Sequence, residues 1–130
     1  MMEAARDQAP KETCLLGVTV LTSLSENALR EIGWGGGVQA SVESLSVLAK
    51  SAGLGGVVCS PHEAKAERAR WRQGEVVTPG VRPPGADKGD QSRVMAPAEA
   101  IEAGASRIVL GRPVLRAKQP EVILDRILAG

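Results

Sequence analysis

Polar or conformationally special residues recur directly after short apolar runs: Thr22-Ser23, Ser60-Pro61, Pro79-Gly80-Val81-Arg82 and Gly111-Arg112-Pro113. The chemistry they point to is anion binding. At Gly111 a bare backbone lets an N–H approach an anion, and a helix starting just beyond adds its dipole. Arg112 offers a planar fork for phosphate oxygens. Arg82 and Gln91 stand at the two ends of a polar, Pro/Gly-rich stretch, residues 83–91. From there both can fold over the same anion. Asp87, Lys88 and Asp90 fall inside that stretch. Nothing organises them, so they make no acid–base cluster.

These residues need elements that hold them on one side. Residues 15–21, 56–59, 75–78 and 107–110 are short, β-branched and nearly continuous in apolar character. That is the pattern of strands buried on both faces of a parallel sheet. Helical patterns fill the gaps at 2–8, 26–32, 40–52, 61–72, 97–103 and 120–129. The helix over 40–52 is expected to turn Val42, Leu45, Leu48 and Ala49 inward; the last helix turns in Val122, Ile123, Ile127 and Leu128. Ser60 and Glu63 have the spacing of a capping box with Pro61 at the first helical position. Strict alternation of strand and helix predicts an α/β fold with right-handed crossovers. All four strand ends then share one rim, where such folds keep their ligands. The polar stretch follows the third strand and has the composition of a lid.

Composition narrows the function classes. The chain has 130 residues, 15 of them Gly, no Phe or Tyr, and a net charge of +1. Its first 60 residues carry 4 basic and 6 acidic side chains, and the remaining 70 carry 12 and 9. This asymmetry suits a local anion site and falls short of the basic footprint of a nucleic-acid binder. No run is long enough for a membrane helix, and the N-terminus has no apolar signal region. Cys14 and Cys59 are expected to be buried, reduced thiols. With His62 as the one histidine and no Cys-x-x-Cys, a zinc site is not expected. Gly35-Gly36-Gly37 reads as a turn, Trp34 and Trp71 as packing residues, and Lys65, Arg68, Arg70 and Arg72 as the wet face of a helix.

Five segments, in this order and spacing, closely resemble the bacterial orotidine 5′-phosphate decarboxylase family: residues 18–23 (Val-Thr-Val-Leu-Thr-Ser), 56–60 (Gly-Val-Val-Cys-Ser), 77–83 (Val-Thr-Pro-Gly-Val-Arg-Pro), 89–93 (Gly-Asp-Gln-Ser-Arg) and 108–113 (Ile-Val-Leu-Gly-Arg-Pro). The resemblance runs the length of the chain. It implies a homodimeric TIM (β/α)8 barrel that converts orotidine 5′-monophosphate (OMP) to uridine 5′-monophosphate (UMP) and carbon dioxide, in the cytoplasm, without metal or organic cofactor. It implies that Thr22 and Ser23 lie by the pyrimidine and that Pro79 walls the base. It implies that Arg82, Gln91, Gly111 and Arg112 hold the 5′-phosphate under the closing loop. A related barrel acting on a sugar phosphate fits Thr22-Ser23 and Pro79-Gly80-Val81-Arg82 less well.

The departure lies in the catalytic array. The family's Asp-x-Lys-x-x-Asp motif is absent from these 130 residues, and Asp87-Lys88-Gly89-Asp90 has the wrong spacing. Gly55 also stands where the family commonly has Asp. A closed (β/α)8 barrel runs to roughly 250 residues, and four β/α units are present. The expectation is therefore one unit, residues 1–130, forming the C-terminal half of a barrel (strands five to eight). It carries the phosphate and pyrimidine side of the site and no catalytic residue. It is expected to be inactive alone, and to pair with itself or with a complementing N-terminal half.

Overall fold

A computed structural model describes residues 1–83 and 93–129. Gln91 and the acidic and basic residues of the polar stretch lie outside the described residues. The elements run α1 (Met2–Gln8), β1 (Leu16–Val18), α2 (Glu26–Glu31), α3 (Gly37–Ser51), β2 (Gly56–Val58), α4 (Ala64–Arg70), β3 (Glu75–Thr78), α5 (Pro97–Glu102), β4 (Arg107–Ile108), α6 (Arg112–Leu115) and α7 (Pro120–Leu128). The strands form one sheet in the order β1-β2-β3-β4. All three pairings are parallel, with Val18 opposite Val58, Val58 opposite Val77, and Thr78 opposite Ile108. The expected α/β alternation is therefore present, with strands shorter than the apolar runs that encode them.

Close approach in the sheet requires small residues. A Cβ on Gly56 would fall 2.2 Å from the Glu75 carbonyl oxygen, so only glycine lets β2 lie against β3 there. At the far pairing, Ser106 stitches β4 to β3. Its hydroxyl accepts from the Val76 N–H (2.8 Å) and its own N–H donates to the Val76 carbonyl (2.9 Å). The main core packs Val20, Leu29, Val42, Cys59 and Val76 between the sheet and its helices. A second cluster of Ala49, Leu54 and Val57 is covered by Met2, Leu15 and Trp71.

Local chemistry sets the helix ends. Ser25 caps α2 by accepting from the Ala28 N–H (3.3 Å). Glu26 reaches across to accept from the Val38 N–H (2.9 Å) at the start of α3, where Gly37 adopts φ +77°. The glycine run is thus a turn, and its last member opens a helix. The Ser60–Glu63 capping box does not form. The Ser60 hydroxyl accepts from the His62 N–H (3.3 Å), and the Glu63 N–H donates to the Ser60 carbonyl (3.0 Å). Residues 60–63 therefore make a turn and the helix starts at Ala64, while the Glu63 carboxylate pairs with Arg93.

Other expectations are corrected as well. Cys14 is exposed, whereas Cys59 is buried. Trp34 is exposed at the surface while Trp71 packs. Leu48 and Leu128 point outward, whereas Val42 and Ala49 are buried. Arg68 and Arg70 are structural rather than merely solvated. Arg68 donates to the carbonyls of Gly104 (3.1 Å), Arg72 (2.9 Å) and Gly74 (2.8 Å). Arg70 pairs with the buried Glu67 and with Glu43 (3.0 Å). One guanidinium thus ties the end of α4 to the segments that lead into β3 and β4.

Arg68→Ala is expected to lower stability by about 2 kcal/mol in urea unfolding, because partly buried carbonyls lose a charged donor. Lys65→Ala on the same helix is expected to stay within about 0.5 kcal/mol. Equal effects of the two substitutions would contradict this division.

Candidate functional site

Because the strands are parallel, their C-terminal ends lie along one edge. β1 delivers Val20 to Ser23 there, β2 delivers Cys59-Ser60, β3 delivers Pro79 to Arg82, and β4 delivers Val109 to Arg112. These ends enclose a cleft of about 310 Å³. It is bordered by Thr22, Ser23, Pro79, Arg82, Gly111 and Arg112, the six described residues expected from the sequence. Val18, Val58 and Val109 form an apolar part of its lining. Gln91 lies outside the described residues.

Each position has a physical reason. Thr19 and Thr78 are buried polar residues whose hydroxyls are satisfied across the sheet, Thr19 donating to the Val58 carbonyl (2.8 Å) and Thr78 to the Arg107 carbonyl (3.4 Å). They brace the strand ends. Val81 forms a bridge with Met95, and the Arg82 N–H donates to the Met95 carbonyl (3.0 Å). This pins the backbone on which Arg82 stands. Its side chain donates from Nη1 to the Val81 carbonyl (2.8 Å). Its Nε is buried and makes no hydrogen bond among the described residues. An N–H left in this state is costly unless a partner arrives.

At Gly111 a Cβ would meet no atom within 4 Å. Its absence therefore leaves open room rather than relieving packing. The helix beyond it, α6, has only four residues, so the expected dipole contribution is that of a single turn. Arg112 is exposed at its start.

Beneath the rim lies a charged layer that sequence reasoning missed. Arg93 pairs with Glu63, both largely buried, and also donates to the carbonyls of Leu21 (3.3 Å) and Val20 (3.5 Å). Burial raises the Glu63 carboxyl above its ordinary value, and the Arg93 guanidinium opposes that shift. The Cys59 thiol at the cleft is pushed up to about 12, first by burial and then by the charges of Glu63 and Glu67, with Arg93 opposing. A thiol of this kind is inert as a nucleophile. Among the described residues, no group of three or more His, Cys, Asp or Glu could hold a metal ion. No helix among them is long and apolar enough to cross a membrane.

A parallel four-stranded α/β sheet with its cleft on the C-terminal rim defines a portion of a (β/α) barrel. Residues 1–127 match the family described as Orotidine 5′-phosphate decarboxylase / HUMPS, and the chain belongs to it. It is similar to the orotidine 5′-phosphate decarboxylase of Anaeromyxobacter sp. (strain K), at 50% identity over 131 residues, covering 100% of this chain and 58% of that protein. It is 52% identical over 120 residues to that of Synechococcus sp. (strain CC9605), covering 91% and 48%. The crystal structure of orotidine 5′-phosphate decarboxylase from Lactobacillus acidophilus superposes with a TM-score of 0.79 at 34% identity, covering 99% of this chain and 57% of that one. The chain thus spans little more than half the length of the relatives it matches, and its sheet corresponds to about half of their barrels.

The thiol chemistry gives a signed expectation. Cys14 should react with a disulfide reagent at neutral pH, and Cys59 only on unfolding. The unfolded Cys59 thiol loses its proton near the ordinary value of about 9, while the folded one holds it to about 12. Folding stability should therefore fall as pH rises from 9 toward 12, and fall less in Cys59→Ala. Two rapidly reacting thiols in the native protein would contradict this assignment.

Proposed function

We propose that these 130 residues form the phosphate- and pyrimidine-holding half of an orotidine 5′-phosphate decarboxylase, acting on OMP to give UMP and carbon dioxide in the cytoplasm. The observation that carries this reading is the convergence of Thr22, Ser23, Pro79, Arg82, Gly111 and Arg112 on one cleft. Family membership supplies the substrate class. The geometry supplies two guanidinium groups, one with an unsatisfied buried N–H, on the side of the cleft formed by β3 and β4.

The division of labour follows from chemistry. Decarboxylation leaves electron density at C6 of the pyrimidine, which must be stabilised and then protonated. Arg82 and Arg112 can hold a 5′-phosphate, and Thr22 and Ser23 offer hydroxyls toward the base. In the family, the proton comes from a Lys within the Asp-x-Lys-x-x-Asp motif, which these residues do not contain. Binding energy from the phosphate serves the reacting centre only once that donor is present. A complementing half, or a second copy, is the proposed partner. Among the described residues β1 and β4 are edge strands, and these edges with the exposed Val18, Leu21 and Val109 support that association.

UMP titrated into the 130-residue chain is expected to bind, with affinity falling roughly tenfold or more in Arg82→Ala and in Arg112→Ala, as for the loss of a charged hydrogen bond. Carbon dioxide release from OMP is expected to be undetectable with this chain alone. Sedimentation is expected to show association. Unchanged UMP affinity in both variants, turnover by the chain alone, or a stable monodisperse monomer would each contradict the corresponding part of the proposal.

A further inference from the structure

Arg93 stands just beyond the polar stretch, and its side chain reaches back beneath the cleft. Its guanidinium touches two separate parts of the rim, and its backbone runs on to a third. Nη1 pairs with the Glu63 carboxylate, at the residue that precedes α4 and follows the end of β2. Nη2 donates to the carbonyls of Leu21 (3.3 Å) and Val20 (3.5 Å), directly before Thr22-Ser23. Its own backbone leads by way of Val94 to Met95, whose carbonyl holds the Arg82 N–H at 3.0 Å. The pair is shielded, with side-chain exposures of 16% for Arg93 and 12% for Glu63. Screening by water is therefore weak and the geometry is held firmly.

From these contacts we infer that Arg93 is a positioning residue that couples the two ends of the cleft, the anion-holding end at Arg82 and the base-side end at Thr22-Ser23. This rests on the reading of the cleft as a nucleotide site and goes beyond it by assigning a residue outside the cleft lining. The planar fork is what allows the role. One nitrogen takes the carboxylate while another serves two carbonyls, and an ammonium has no equivalent fixed fork. The Leu21 carbonyl also accepts the Leu24 N–H at 3.0 Å, so the turn carrying Thr22 and Ser23 closes on the same oxygen that Arg93 holds. Releasing Arg93 loosens that turn while leaving Arg82 and Arg112 in place. A loss of coupling therefore weakens a ligand that spans both ends more than one that uses the anion end alone.

The test compares UMP with inorganic phosphate on the full chain. Arg93→Met is expected to weaken UMP roughly tenfold, a usual size for coupling between sites, while phosphate moves less than about twofold. Arg93→Lys should fall between, since it keeps the charge and loses the fork. Because R93M leaves Glu63 without its partner, the double variant E63Q/R93M carries the measurement if the single one fails to fold. Hydrogen exchange supplies a ligand-free readout. The Leu24 amide should exchange about tenfold faster in the variant, while Val76 and Ala100 stay within about twofold. Equal weakening of both ligands means a merely structural role and overturns the inference, as does an unchanged UMP affinity. If the parent chain binds neither ligand, the nucleotide reading of the cleft fails, and an unchanged Leu24 exchange rate overturns the coupling on its own.

Discussion

The parallel register of four short strands is the constraint on which everything else depends. Val18, Val58, Val77 and the Thr78–Ile108 pair align the strands so that four chain segments emerge at the same edge. An antiparallel pairing would send alternate ends to the opposite edge and separate Arg82 from Arg112. The strands have only two to four residues each, so little of the alignment energy comes from the ladders themselves. It comes from side chains that cross between strands, such as Thr19, Thr78 and Ser106, and from the core beneath.

Electrostatics then divides the molecule into two layers. Arg82 and Arg112 stand at the open rim, where charge can meet a ligand. Arg93, Glu63, Arg70 and Glu67 form a lower layer of ion pairs. Buried pairs of this kind add little net stability compared with apolar packing, because both charges lose their water. Their value is directional. They determine where the strand ends sit. Cys59 lies between the layers, and its elevated thiol keeps it neutral against the nearby carboxylates.

Much of this was legible in the sequence, for identifiable reasons. The buried strands announced themselves as β-branched runs, and Thr22, Ser23, Pro79, Arg82, Gly111 and Arg112 follow those runs directly. Parallel topology then placed them together without any distance information. The lower layer was not legible. Ser60 and Glu63 carry a valid capping spacing, yet the Ser60 hydroxyl takes the His62 N–H and the Glu63 carboxylate pairs with Arg93. Arg68 has the helical position of a solvated residue, yet three carbonyls from other segments claim it. Cys14 adjoins an apolar run but sits before β1 begins, so the burial of its neighbours does not extend to it. For Glu63 and Arg68 a long-range partner, Arg93 or the Gly104 carbonyl, competes with the local pattern. The one sequence signal was that Arg93 closes the segment containing Gln91, in register with the other rim segments.

One cleft at the strand ends is proposed to take a whole nucleoside monophosphate. Backbone amide resonances recorded during a UMP titration test it most directly. The amides of Thr22, Ser23, Gly80, Arg82, Gly111 and Arg112 are expected to shift together and to fit a single dissociation constant, while Leu54 and Ala105, at the N-terminal edge of the sheet, stay still. Shifts confined to the arginines with Thr22 and Ser23 unmoved, or no shifts in a folded chain, would contradict the account.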